Sequence, residues 1–168
     1  MSKNLNWLAI LLVVGIANVQ AAEMSAEQEW MIKAEIKQLV DQYAMSRDNL
    51  DAVGYANVFA ESGSLIINGQ AYTGRDVIQA RVEAVNPNRN SMHVMSTSQI
   101  QILDENNATG IHYATIYDPA PDESQNQGGM IAVAGFSAQG KYFDKYQLTD
   151  EGWKISERRF QPVYRLAP

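Results

Sequence analysis

No cysteine occurs in the 168 residues. That excludes a disulfide framework, a thiolate nucleophile and a cysteine-built zinc site. Histidine is nearly as scarce, with only two, His93 and His112. A metal centre wants three or four His, Cys or carboxylate ligands, so neither a metal nor any other cofactor is expected. The glycine-rich phosphate loops and the Gly-x-Ser-x-Gly elbow are also missing, which leaves nucleotide binding and covalent catalysis without an agent. Positive charge is short as well: 13 Lys and Arg stand against 19 Asp and Glu, a formal net charge of −6. A chain this acidic suits neither nucleic acid nor an anionic membrane surface.

Only one long apolar run is present, over residues 7–16. It is too short to span a bilayer, which needs about 20 apolar residues. It matches the h-region of a signal peptide, and Val19-Gln20-Ala21 has the small-residue pattern of a cleavage site. Residues 1–21 are therefore expected to be a leader, and residues 22–168 a single mature domain, secreted or periplasmic and without stable membrane association.

The rest of the chain is well patterned. Residues 27–47 carry Ile32, Ile36, Leu39, Val40 and Tyr43 at helical spacing, and Ser25 with Gln28 forms a capping-box signature. Asp51 starts a short second helix ending near Phe59. Residues 65–67 form a strand that Asn68-Gly69 turns back into Ala71-Tyr72. A third helix begins at Thr73, which can cap it, carries Asp76 in its first turn and is ended by Asn86-Pro87. From Ser91 onward everything reads as strand: residues 92–103, then 109–117, then a polar loop, then residues 130–136 and 141–148 as one strand with a bulge between them. A tight turn at residues 149–152 leads into the last strand. Helices first and long antiparallel strands afterwards predict an α+β fold, a curved sheet wrapped around three helices into a cone with an internal pocket.

Three side chains stand out. Asp48 lies between two helices, where an Asp is often a cap; Asp51 and Asn49 are better placed for that work. His93 shares its strand face with Met95, Thr97, Gln99 and Gln101, with Val94, Ile100 and Ile102 opposite. A lone strand histidine is more often structural than functional. Arg158 and Arg159 point to opposite faces, and alternation places Arg159 with Trp153 and Ile155. A surface ion pair with Glu157 or Asp144 would account for Arg158 equally well. His112 shares a face with Ala114, Ile116 and Asp118 and ranks below His93 as a pocket residue.

Taken in order, Arg47-Asp48, Phe59-Ala-Glu-Ser, Tyr72-Thr-Gly-Arg, Met92-His93, Gly140-Lys-Tyr and Gly152-Trp-Lys-Ile-Ser-Glu-Arg resemble the SnoaL-like branch of the nuclear transport factor 2-like superfamily. Scytalone dehydratase and hexachlorocyclohexane dehydrochlorinase look closest within it. The resemblance implies that Asp48 holds His93 as a general base. It also implies that Arg158, five residues after Trp153, stabilises developing charge or a leaving group, and on that spacing Arg158 is preferred to Arg159. Tyr43 stands where the dehydrochlorinase has a lysine, and Asp118 where the dehydratase has a second pocket histidine.

The expectation is a lyase or isomerase that abstracts a proton from a small, largely apolar substrate. His93, Asp48 and Arg158 are its catalytic residues. Tyr43, Tyr113, Met95, Ile116, Asp118, Met130 and Phe136 contact the substrate, with Met45 adding to the apolar wall. The competing expectation is a non-catalytic binding protein of the same fold for a hydrophobic molecule. A homodimer is expected through the outer sheet face, because Val94, Ile100 and Ile102 would otherwise be uncovered.

Overall fold

The computed structural model describes residues 24–87 and 91–166; the expected leader and its cleavage point lie outside them. The first helix, α1 (Ala26–Asp48), forms its capping box: the Gln28 N–H donates to Ser25 Oγ at 3.2 Å, and the Ser25 N–H donates to Gln28 Oε1 at 2.9 Å. Ile36, Val40 and Tyr43 are buried in one stripe, with Ile32 and Leu39 partly covered beside them. Leu50 turns the chain at φ 57. Asp51 then accepts from the Gly54 N–H at 2.9 Å and caps α2 (Ala52–Asn57). This helix stops short of Phe59 because Phe59 already opens β1 (Phe59–Ile67).

Asn68 and Gly69 both adopt positive φ, 52 and 80, as a tight hairpin requires, and return the chain as β2 (Gln70–Thr73). The following helix, α3 (Arg75–Glu83), is not capped by Thr73 as expected. Its N-cap is Gly74, at φ 92 and without a side-chain bond. Thr73 belongs to the β1–β2 ladder, where its hydroxyl pairs with that of Ser64.

Four long strands follow: β3 (Met92–Ile102), β4 (Asn107–Pro119), β5 (Val133–Thr149) and β6 (Gly152–Tyr164). They complete one open, curved sheet of six strands in the order β2-β1-β6-β5-β4-β3. The fold is α+β, as expected, but the sheet is mixed: β1 and β6 run parallel while every other pair is antiparallel. Strands 3 to 6 neighbour one another in chain order, which favours antiparallel pairing. β1 meets β6 only after β2, α3 and three further strands, so no hairpin fixes its direction. The core lies between α1, α2, α3 and the inner sheet face, where Phe59, Leu65, Tyr142, Tyr146, Trp153 and Ile155 are buried.

Bulges decide which side chains reach that face. In β3, Met95 pairs with Ala114 and Ser98 with His112, so one extra residue lies between them. His93 and Met95 face inward before the bulge; Ser98, Ile100 and Ile102 face inward after it, opposite His112, Gly110 and Ala108. The expected grouping of Ile100 and Ile102 with outward-facing Val94 is thereby corrected. In β6, Lys145 pairs with Glu157 and Tyr146 with Ile155, which leaves Ser156 as the extra residue. Trp153, Ile155, Arg158 and Phe160 are all buried as a result, and Arg159 is exposed.

Candidate active site

Asp48 is the last residue of α1, and His93 is the second residue of β3. The side chain of Asp48 reaches across to that strand and holds His93 at two points. Its Oδ1 lies 2.6 Å from His93 Nδ1, and its Oδ2 accepts the His93 backbone N–H at 2.8 Å. A carboxylate has acceptors for both protons, so Nδ1 carries hydrogen and Nε2 is left as the lone-pair nitrogen. Asp51, not Asp48, serves as the cap of α2.

His93 lines a cavity of about 230 Å³. Its walls include Tyr43, Tyr55, Tyr142 and Phe160, together with Arg47, Arg81, Ile116 and Asp118. Tyr43 stands edge-on to His93, with ring centroids 6.4 Å apart at 85°. The Tyr55 hydroxyl donates to the Tyr43 oxygen at 2.9 Å, and Tyr43 in turn makes a long 3.4 Å contact with the Tyr142 hydroxyl. Burial pushes the Tyr55 and Tyr142 hydroxyls well above the usual tyrosine value, and Tyr43 adds to the effect. Both therefore stay protonated and able to donate.

Behind the tyrosines lies a second buried polar group. Arg158 is fully buried and pairs with Asp144, its opposite number across β5 and β6: Nε donates to Oδ1 at 3.0 Å and Nη2 to Oδ2 at 2.5 Å. Burial works against the guanidinium's charge, but the Asp144 carboxylate outweighs it and holds the arginine charged. Asp144 is thus the partner weighed for Arg158 from sequence, yet the pair is in the core, not on the surface. The guanidinium lies 4.1 Å from the Tyr43 ring centroid and 4.8 Å from that of Tyr142, a cation–π arrangement strengthened by desolvation.

His112 joins the same group. Its ring nitrogens lie 2.8 Å from Ser98 Oγ and 2.8 Å from the Tyr146 hydroxyl, and Tyr146 donates to Asp144 Oδ2 at 2.6 Å. Because the Tyr146 proton goes to Asp144, His112 Nε2 must donate to Tyr146 and Nδ1 must accept from Ser98. The two histidines are therefore opposite tautomers. Burial lowers the His112 pKa to about 4, with Asp144 opposing in part, so His112 is neutral at ordinary pH.

Of the residues expected to contact substrate, Tyr43, Ile116 and Asp118 line the cavity and four others do not. Tyr113 is on the outer sheet face, exposed, beneath the Lys141 ammonium; its neighbours His112 and Ala114 take the inner positions. Met130 is 71% exposed in the turn bridged by Gln127 and Met130, outside β5. Met95 faces inward and packs on the core, and Phe136 sits where the β4–β5 register shifts. Met45, expected in the wall, is 61% exposed on α1. The walls are consequently aromatic and cationic where an apolar lining was expected. Tyr55, Tyr142, Arg47, Arg81 and Phe160 were not foreseen. One signal was present: Tyr142, Asp144 and Tyr146 alternate along one face of β5, and an aspartate on a face of buried tyrosines calls for a charged partner.

The SnoaL-like domain family matches residues 28–159. The chain belongs to that family. No curated protein matches it, but solved structures share its fold. A nuclear transport factor 2-like protein with a cystatin-like fold from Novosphingobium aromaticivorans aligns with a TM-score of 0.67 at 15% identity, over 82% of this chain and 85% of its own. A protein from the same organism assigned as a scytalone dehydratase gives 0.69 at 18% identity, over 84% and 91%. A type 2 hexachlorocyclohexane dehydrochlorinase gives 0.66 at 16% identity, over 86% and 98%. At these identities the likeness establishes the SnoaL-like fold and leaves the chemistry to be argued from the site.

Proposed function

We propose that this SnoaL-like protein is a cofactor-independent lyase or isomerase in which His93 is the general base. The observation that carries the reading is the doubly anchored Asp48–His93 pair on a cavity wall, with Nε2 as the basic nitrogen. In the proposed step a substrate C–H bond breaks, the proton goes to His93 Nε2, and the electron pair moves into an adjacent carbonyl. Asp48 stabilises the imidazolium that forms. Tyr43 donates to the developing oxyanion, its weak 3.4 Å contact with Tyr142 being exchanged for the substrate oxygen while Tyr55 supports it from behind. A lyase then expels a β-leaving group; an isomerase returns the proton to another carbon. Arg158 is a positioning residue in this scheme: it lies under the Tyr43 and Tyr142 rings and is not among the cavity-lining residues.

Proton abstraction can be tested before the substrate is known. A panel of small carbon acids in D2O is followed by proton NMR for loss of the C–H signal. Wild type should catalyse exchange of at least one compound, and His93→Ala should reduce that rate by about 10²–10⁴. Equal exchange by the two proteins would refute the reading. Binding without any exchange across the panel would favour the non-catalytic carrier.

A further inference from the structure

The chain is acidic overall, yet its cavity is lined by Arg47, Arg81 and His93, with Asp118 as the one carboxylate in the lining. Arg81 lies in the last turn of α3, its guanidinium 4.9 Å from the centroid of the Tyr72 ring. The stacking fixes the plane of the guanidinium and leaves its edge for recognition. Two other arginines of the fold have carboxylate partners, Arg75 with Glu151 and Arg158 with Asp144. Arg81 forms no ion pair among the described residues, and its Nε is buried with no acceptor. A buried donor of that kind is costly to leave unmet. Asp48, the other acid at the site, has both oxygens engaged by His93.

We propose that the substrate carries a carboxylate, bound by the guanidinium edge of Arg81 inside the cavity. This deepens the proposed function and rests on the same cavity being the substrate site. A planar carboxylate matches the parallel N–H groups of an arginine edge. The aromatic walls formed by Tyr43, Tyr55, Tyr142 and Phe160 suit a flat organic body attached to it. The role of Arg81 is to hold and orient the substrate so that His93 meets one carbon of it.

The test is calorimetric binding of benzoate and of its neutral isostere benzamide. Wild type should prefer benzoate by roughly ten- to hundredfold. Arg81→Gln should erase the preference, and Arg81→Lys should retain part of it. His93→Gln should keep it, which separates carboxylate recognition from proton abstraction. Equal binding of the two probes by wild type, or no benzoate binding at millimolar concentration, overturns the proposal without recourse to any variant. A preference that survives Arg81→Gln, or one lost in His93→Gln, also overturns it. Inorganic phosphate competing as strongly as benzoate would overturn the carboxylate assignment.

Discussion

The two histidines show how neighbours set a side chain's work. His93 has a carboxylate on Nδ1 and a basic Nε2 on a cavity. His112 has both nitrogens engaged and its pKa is pressed down to about 4 by burial. That shift has a consequence for stability. In the unfolded chain His112 regains an ordinary value near 6.5, so between about pH 6.5 and 4 the unfolded state binds a proton that the native state does not. Stability should therefore fall as the pH drops through this window and level off below it, by on the order of 3 kcal/mol from this group. Chemical denaturation at several pH values checks it: His112→Gln should be less stable at pH 7 but have a flatter profile between pH 6.5 and 4. An unchanged slope would show that other groups set the acid sensitivity. From the sequence His112 ranks below His93; Asp51 and Asn49 are the better caps, but it is the family resemblance, not capping logic, that singles out Asp48 as the partner of His93. The sequence could not show that Ser98, Tyr146, Asp144 and Arg158 converge on one point, because they come from β3, β5 and β6 and meet only through register.

At the level of elements, the strands and helices were legible because their periods are strong, and the side chains each strand turns inward were not. Alternation alone places Arg158 opposite Trp153; the extra residue at Ser156 brings both inside. The bulge between Met95 and Ser98 likewise turns Ile100 to the core. One extra residue reverses every side chain beyond it, and no composition signal marks where it falls. Gly110 is a further element-scale feature. A Cβ there would stand 2.5 Å from His112 Nε2 and 3.1 Å from the Tyr146 ring. With His112 and Tyr146 both buried and bonded, neither can withdraw freely. Gly110→Ala should cost about 1–3 kcal/mol, read as a lower midpoint in urea, with His112 showing the accompanying chemical-shift change. Unaltered stability would mean the β4–β5 pairing can relax more than its packing suggests.

At the scale of the whole molecule, the sheet has one face on the helices and one that no other described element covers. Val94, Tyr113, Val163 and Tyr164 are all exposed, and the last three with Lys141 and Gln139 border a groove on the outer face. We propose that a second copy covers this face, although Ile100 and Ile102 no longer argue for it. Light scattering at micromolar concentration should give twice the chain mass, and Tyr113→Glu should return it to one; a single-chain mass for the unmodified protein would refute the dimer. The inner face carries the central claim, that Asp48 makes His93 a base. An asparagine at 48 has one acceptor oxygen for two donors, the Nδ1–H and the backbone N–H of His93. The amide N–H₂ must then face one of them, and the imidazole escapes by moving its proton to Nε2, where the base is needed. The most direct measurement is the deuterium-exchange rate of Asp48→Asn on the carbon acid that wild type exchanges fastest, with circular dichroism and a thermal melt on the same sample. The account predicts a native spectrum, a cooperative melt and an exchange rate lower by about a hundredfold or more. A folded Asp48→Asn protein exchanging at the wild-type rate, or one that merely unfolds with no rate defect in its folded fraction, would contradict it.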